Sequence, residues 1–262
     1  MSLEIAHRLF SALLAMSLII QTIEFLSLSN SSDVRTKWAW SIQRGDLSHT
    51  NKLLRGFFDF IFSDSVHLIH LVLRLIFVLS LFWGVTIFSG IFLFLSTIIL
   101  LIRWRGAFNG GSDFMTVVTV TGQLIVVTAS YFVDEAQAWT AALWYVTIHS
   151  VTSYFMSGVV KLLNSQWRKG TALTYFLDGG LYGPLSDHSL FRKPVIAILA
   201  SWSFILWEIS FPLVLIDQQL AVYFCMIAFG FHILVFRFFG LNRFVWAWTA
   251  TFPAIIYCSG QF

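Results

Sequence analysis

Lys161 is the residue best placed to do chemistry. Counted back along a helix, Ser157, Tyr154 and Ser150 fall on its face at spacings of four, seven and eleven. Such a polar stripe suits a wet or substrate-lined cavity, and desolvation of an amine there would make it a general base. The competing reading is a lysine whose ammonium reaches up to lipid headgroups. Asp113, Thr116 and Gln123 share another helical face; Asp113 would either pair with Lys161 or cap the helix that follows Asn109-Gly-Gly-Ser. His67, His70 and Arg74 follow i, i+3, i+7, which puts Arg74 about 10 Å along its helix. A His-x-x-His pair can start a metal site, but no third ligand stands nearby in sequence, so no metal is assigned. Glu24, Glu208, His149 and His232 also fall inside apolar runs, with Glu208 the most deeply placed acid. Two such histidines would serve as haem ligands only if they faced each other.

Why those groups matter follows from the stretches that carry them. Apolar residues make up 58% of the 262 and charged residues 11%, with a mean hydropathy of +0.79. A soluble domain carries roughly a quarter charged residues, so lipid must solvate most of this surface. The apolar runs extend for about 20 residues without alternation, which selects helices over barrel strands. A charged side chain inside such a run costs about 2.5–3.5 kcal/mol on insertion scales and asks for a reason.

Eight spans are expected: 5–28, 66–86, 88–102, 112–132, 139–163, 195–216, 218–239 and 241–259. Between the first two, Lys52-Leu-Leu-Arg-Gly-Phe-Phe-Asp-Phe-Ile-Phe62 is too short to cross and reads as an amphipathic surface helix. The polar stretch 164–193 reads as a cytoplasmic loop, though Gly179-Gly180 and Pro184 would permit a re-entrant turn. The first run carries Glu24 and no small-residue cleavage pattern, so it counts as a span. No internal repeat or separate soluble domain is visible, and the fold class is all-α, one polytopic domain over 1–262.

With an even number of spans both termini share a side. Thirteen of the sixteen Lys and Arg residues, Arg103, Arg105, Arg168 and Lys169 among them, then fall on the opposite side. That asymmetry places both long loops in the cytoplasm and both termini outside it. It also accounts for the pI near 9.0 as topology, so no nucleic acid is expected. Cys225 and Cys258 lie in apolar runs and read as small buried hydrophobes. The 11 Trp and 28 Phe read as packing, lipid contact and interface anchors, with a quinone or pigment pocket as a further use.

Two stretches suggest a family: Arg103-Trp-Arg-Gly-Ala-Phe-Asn-Gly-Gly-Ser-Asp113 and Tyr154-Phe-Met-Ser-Gly-Val-Val-Lys-Leu-Leu-Asn-Ser-Gln-Trp-Arg-Lys-Gly170. They resemble the horizontally transferred transmembrane (HTTM) domain, found in bacterial relatives of the vitamin K-dependent gamma-carboxylase. Gly158, Lys161, Leu162, Trp167 and Gly170 are the matching positions of the second stretch. The resemblance implies a bacterial inner-membrane location. It also implies that Lys161 is the base that deprotonates a quinol, with quinone as the cofactor.

The chain departs from the carboxylase at Gly110-Gly111, where that enzyme has a functional histidine. It also lacks a counterpart of the large lumenal domain within these residues, and Lys161 is expected on the cytoplasmic side. Protein carboxylation is therefore not expected. Maturation of a small peptide, as in relatives similar to a toxin-maturing membrane component, is the nearer comparison.

The expected site joins Lys161, Tyr154 and Asp113 in catalysis with Arg74, Ser157 and Trp167 on the substrate: a quinone, lipid or small peptide. The bilayer itself is the first partner. The alternatives are a non-catalytic accessory subunit, whose Trp- and Phe-rich faces pack on other proteins of a membrane complex, and a small transporter coupled through Glu24, Glu208 and His232.

Overall fold

The computed structural model describes residues 1–29, 31, 36–105 and 110–261. Among them the regular elements are all helical, with no strand. The principal helices are α1 (Leu3–Ser29), α2 (Lys52–Ile61), α3 (Asp64–Ser80), α4 (Ile87–Arg103), α5 (Gly110–Ala129), α6 (Glu135–Leu163), α7 (Thr171–Asp178), α8 (Pro194–Ile209), α9 (Gln218–Phe239), α10 (Asn242–Thr249) and α11 (Phe252–Cys258). Gly106 to Asn109, the middle of the first family-like stretch, lie outside the described residues, as does Arg35.

Three helices, α1, α5 and α9, are long and apolar enough to cross a membrane; α2 and α3 together meet the same test but are bent by 71°. α4 and α8 are shorter apolar helices, and α6, the longest at 29 residues, carries the polar stripe.

Several ends differ from the expected spans for local reasons. α3 stops at Ser80 rather than Thr86. α8 stops at Ile209 and continues as a 3₁₀ turn over Phe211–Leu215, because Pro212 has no N–H to extend an α-helical ladder. The expected last span is two short helices, broken at Ala250–Thr251 just before Pro253. From Asn242 to Cys258 such a run rises roughly 25 Å at about 1.5 Å per residue, less than a hydrocarbon core of about 30 Å. The expected loop 164–193 holds α7, which buries Ala172, Leu173 and Leu177.

Where composition shows no boundary, packing divides the chain into two compact units, one of residues 1–10 with 139–262, the other of 11–138. In the second unit α4 packs on α3 and on α5. Gly90 makes the α4–α5 contact close, since a Cβ there would stand 2.7 Å from Val127 Cγ2. α4 is started by a capping box in which Thr86 and Ser89 each bond the other's backbone N–H. In the first unit α8, α9 and the 3₁₀ turn pack around the end of α6 that bears Tyr154, Ser157 and Lys161, and this packing assembles the site.

Candidate functional site

On α6 the four-residue spacing stacks Ser157 and Lys161 one turn apart, and Lys161 Nζ donates to Ser157 Oγ at 2.6 Å. The same ammonium reaches both oxygens of Glu208, Oε1 at 2.7 Å and Oε2 at 2.6 Å. Ser157 Oγ in turn donates to Glu208 Oε1 at 3.2 Å. All three ammonium hydrogens have acceptors, two of them charge-assisted. The lysine side chain is 16% exposed and the glutamate 3%.

Glycine sets this geometry. A Cβ on Gly158 would lie 2.7 Å from the backbone N of Ile209 and 2.9 Å from Glu208 Cβ. The last turn of α8 therefore rests on bare α6 backbone, with Glu208 facing Lys161. Gly170 is the second tight point. Its φ of +75° and a Cβ position 2.6 Å from the carbonyl carbon of Ala197 leave room only for glycine. From that turn the Ser165–Arg168 segment lays Trp167 beside the site, its ring 5.3 Å from Lys161 Nζ, a cation–π distance.

Beyond the lysine opens a chamber of about 220 Å³. Apart from Lys161, its walls are hydrocarbon and aromatic side chains such as Trp167, Phe176, Phe204, Phe231 and Phe238. A cavity of about 150 Å³ is enough for benzene. This one takes a substituted ring or a short length of aliphatic chain, and Lys161 borders it with the hydrocarbon part of its side chain. One turn before Ser157, Tyr154 is buried and its hydroxyl bonds His232 Nε2 at 2.7 Å. Phe211 stacks on Tyr154 at 3.9 Å, and Trp248 lies 4.6 Å from it. These contacts fix Tyr154 in an aromatic box.

Of the six expected site residues, Lys161, Tyr154, Ser157 and Trp167 belong to the first unit, the first three on one end of α6 and Trp167 in the Ser165–Arg168 segment that follows it. Arg74 and Asp113 belong to the second. The carboxylate paired with Lys161 is Glu208, not Asp113. Asp113 is buried in the first turn of α5, whose described residues begin at Gly110, rather than at a cap position; a carboxylate there complements the helix dipole.

Arg74 is fully buried in a cage of neutral oxygens. Nε donates to Thr22 Oγ1 at 3.2 Å, Nη1 to Ser96 Oγ and Thr97 Oγ1 at 2.9 and 3.0 Å, and Nη2 to Gln21 Oε1 at 2.9 Å. No described carboxylate pairs with it. His149 is exposed on α6 while His232 is buried against Tyr154, so the two do not face a common haem. No cluster of three or more metal-ligating side chains occurs among the described residues.

Glu208 is the residue that spacing alone missed as a partner. It is 47 positions from Lys161, and its one sequence signal was an acid deep in an apolar run. Compared with protein-family models, curated proteins and solved structures, the chain matches none.

Proposed function

We propose that this chain is a multi-span bacterial inner-membrane protein of the HTTM type, with both termini outside the cytoplasm, in which the Lys161–Glu208 pair transfers a proton to or from an amphiphile held in the aromatic chamber. One observation carries the reading: an ion pair with every ammonium hydrogen engaged stands beside an apolar cavity that the Lys161 side chain borders.

The proton balance is simple. Lys161 passes a proton to Glu208, and the amine then takes the proton of a substrate O–H. The products are the substrate oxyanion, a neutral Glu208 carboxyl and a restored ammonium that stabilises the oxyanion at contact distance. A hydroquinone is the substrate that the HTTM resemblance favours, because its ring fits the chamber and its O–H is acidic enough for an amine. Gly158, Lys161, Trp167 and Gly170, four of the positions that carry the resemblance, each have a defined place in this geometry, which supports the assignment. Tyr154 and Ser157 position the pair: Ser157 by bonding both partners, Tyr154 by anchoring α6 in its aromatic box. Arg74 and Asp113 have no part in this step.

The test is extraction of whatever stays bound to protein purified in mild detergent. A stoichiometric quinone or related amphiphile is expected, displaced when Phe231→Trp fills the chamber. It should be retained but no longer converted in Lys161→Ala. Retention of the same molecule by the filled-chamber variant, or unchanged conversion in Lys161→Ala, would overturn the proposal.

A further inference from the structure

We infer that the second unit carries a binding site for a zwitterionic phospholipid headgroup in the cleft where α2 turns into α3, its phosphodiester held by His67 and Arg103 and its primary ammonium by Asp64. The cleft measures about 920 Å³ and sits at the 71° bend. His67 is 5% exposed, and neither ring nitrogen has a hydrogen-bond partner. Arg103 is 6% exposed. Its Nη1 donates to Gln43 Oε1 at 2.8 Å and its Nη2 to the Trp38 carbonyl at 3.2 Å, while Nε donates to nothing. Both residues line the cleft and flank Trp104, Arg103 Cζ at 4.8 Å and the His67 ring at 6.4 Å from its centroid. Two buried polar groups with unused bonding capacity at a cleft wall are what an absent oxyanion ligand leaves behind, since an orphaned buried group is costly.

Charge decides which oxyanion. Arg44 and Asp59, also on the wall, neutralise each other at 2.6 Å, and Trp40 Nε1 occupies the other Asp59 oxygen at 2.8 Å. That leaves one cation, Arg103, and one carboxylate, Asp64, which is exposed and accepts no side-chain hydrogen bond among the described residues. A ligand with a single negative charge would meet Asp64 unfavourably. A headgroup with a phosphodiester and an ammonium satisfies both.

The orientation follows from the helix behind the wall. His70 Nε2 bonds Ser96 Oγ at 2.8 Å, and Ser96 also accepts from Arg74. Arg74, a cation without a described counter-charge, lies roughly 10 Å along α3 from His67 at about 1.5 Å per residue. Its field and the N-terminal dipole of the 17-residue α3 draw the phosphodiester inward and leave the ammonium outward at Asp64. A lipid source is favoured because α2 exposes Leu53, Leu54, Phe57 and Phe60 beside the cleft, a hydrocarbon-seeking face at headgroup depth. The inference uses the membrane placement of α2 and α3 but nothing about Lys161.

The experiment is native mass spectrometry of the full chain in detergent with added dioleoyl phosphatidylethanolamine, phosphatidylcholine or phosphatidylglycerol. Phosphatidylethanolamine should be retained about tenfold better than the other two, the increment one charge-assisted hydrogen bond implies. Asp64→Asn, which breaks no described hydrogen bond, should erase that preference. His67→Phe, equally without a bond to lose, should weaken all three lipids alike, since each carries the phosphodiester, with melting temperatures unchanged. Equal retention of all three lipids by the wild type and both variants is annular binding and overturns the site. Soluble glycerophosphoethanolamine binding as tightly as the lipid would overturn the membrane source. Lys161→Ala should leave retention unchanged, so that failure of the proton-transfer reading registers separately.

Discussion

Removing one member of a buried ion pair strands the other charge, at a cost of about 3–5 kcal/mol. For Lys161 and Glu208 the cost should be unequal. The glutamate side chain is 3% exposed and the lysine 16%, so Lys161→Ala leaves a carboxylate with no route to water, whereas Glu208→Gln leaves an amine that can swing outward. Lys161→Ala should therefore lower the melting temperature in detergent more than Glu208→Gln. The double variant Lys161→Met/Glu208→Leu should recover most of the loss, because apolar groups of similar size replace an ion pair at little cost. If the pair acts on a substrate, the recovered double variant stays inactive. Full activity in it would reduce the pair to packing. The four-residue spacing made Ser157–Lys161 legible in sequence. Glu208 arrives from another helix, and its partnership was not.

Helix α6 can present this pair only because α8 lies against its backbone at Gly158. Adding one methyl there puts Cβ 2.7 Å from the Ile209 nitrogen, a backbone atom that cannot rotate away. Gly158→Ala should cost about 1–3 kcal/mol as overpacking does, and pry Glu208 from Lys161, seen as loss of bound amphiphile before loss of fold. Sequence inspection marks Gly158 as part of a family-like stretch; the steric reason appears only with α8 in place.

Helix α2 offers a pH-dependent element. The Trp40 indole N–H, opposed by partial desolvation and then aided by Arg44, holds the Asp59 carboxyl below its ordinary range. A depressed folded value means that the contact stabilises fully above the unfolded carboxylate value of about 3.9 and is lost as pH falls through the lower folded value. Tryptophan fluorescence of Trp40 should accordingly stay constant from neutral pH to about 4 and change only in more acidic buffer. Asp59→Asn should abolish that acidic step.

For the whole molecule, topology is the decisive property. A cysteine in place of Lys169 should react with a membrane-impermeant maleimide only after the inner face is opened, and one in place of Glu135 should react in intact cells. Cys225 and Cys258 are buried at 4% and 0% and add little background. The reverse pattern would invert the orientation; labelling of both positions in intact cells would remove the span count. Exposed Trp83, Phe88, Tyr131 and Phe132, at 85, 76, 72 and 88%, sit at helix ends on the side expected to be external. There they suit the aromatic belt of a lipid interface.

The one-dimensional text of this chain determined that it is helical, that several of its helices are long and apolar enough to cross a membrane, that α2 is amphipathic and that Lys161 shares a face with Tyr154 and Ser157. Composition and periodicity are local quantities, and each of these properties is set within a few turns. Tertiary structure decided that Glu208 answers Lys161, that Arg74 sits among neutral oxygens, that the last expected span breaks at Thr251, and that His67 and Arg103 share a cleft with Asp64. Each of these depends on which backbone comes close to which, and a bare glycine such as Gly158 acts in that choice through the atoms it lacks.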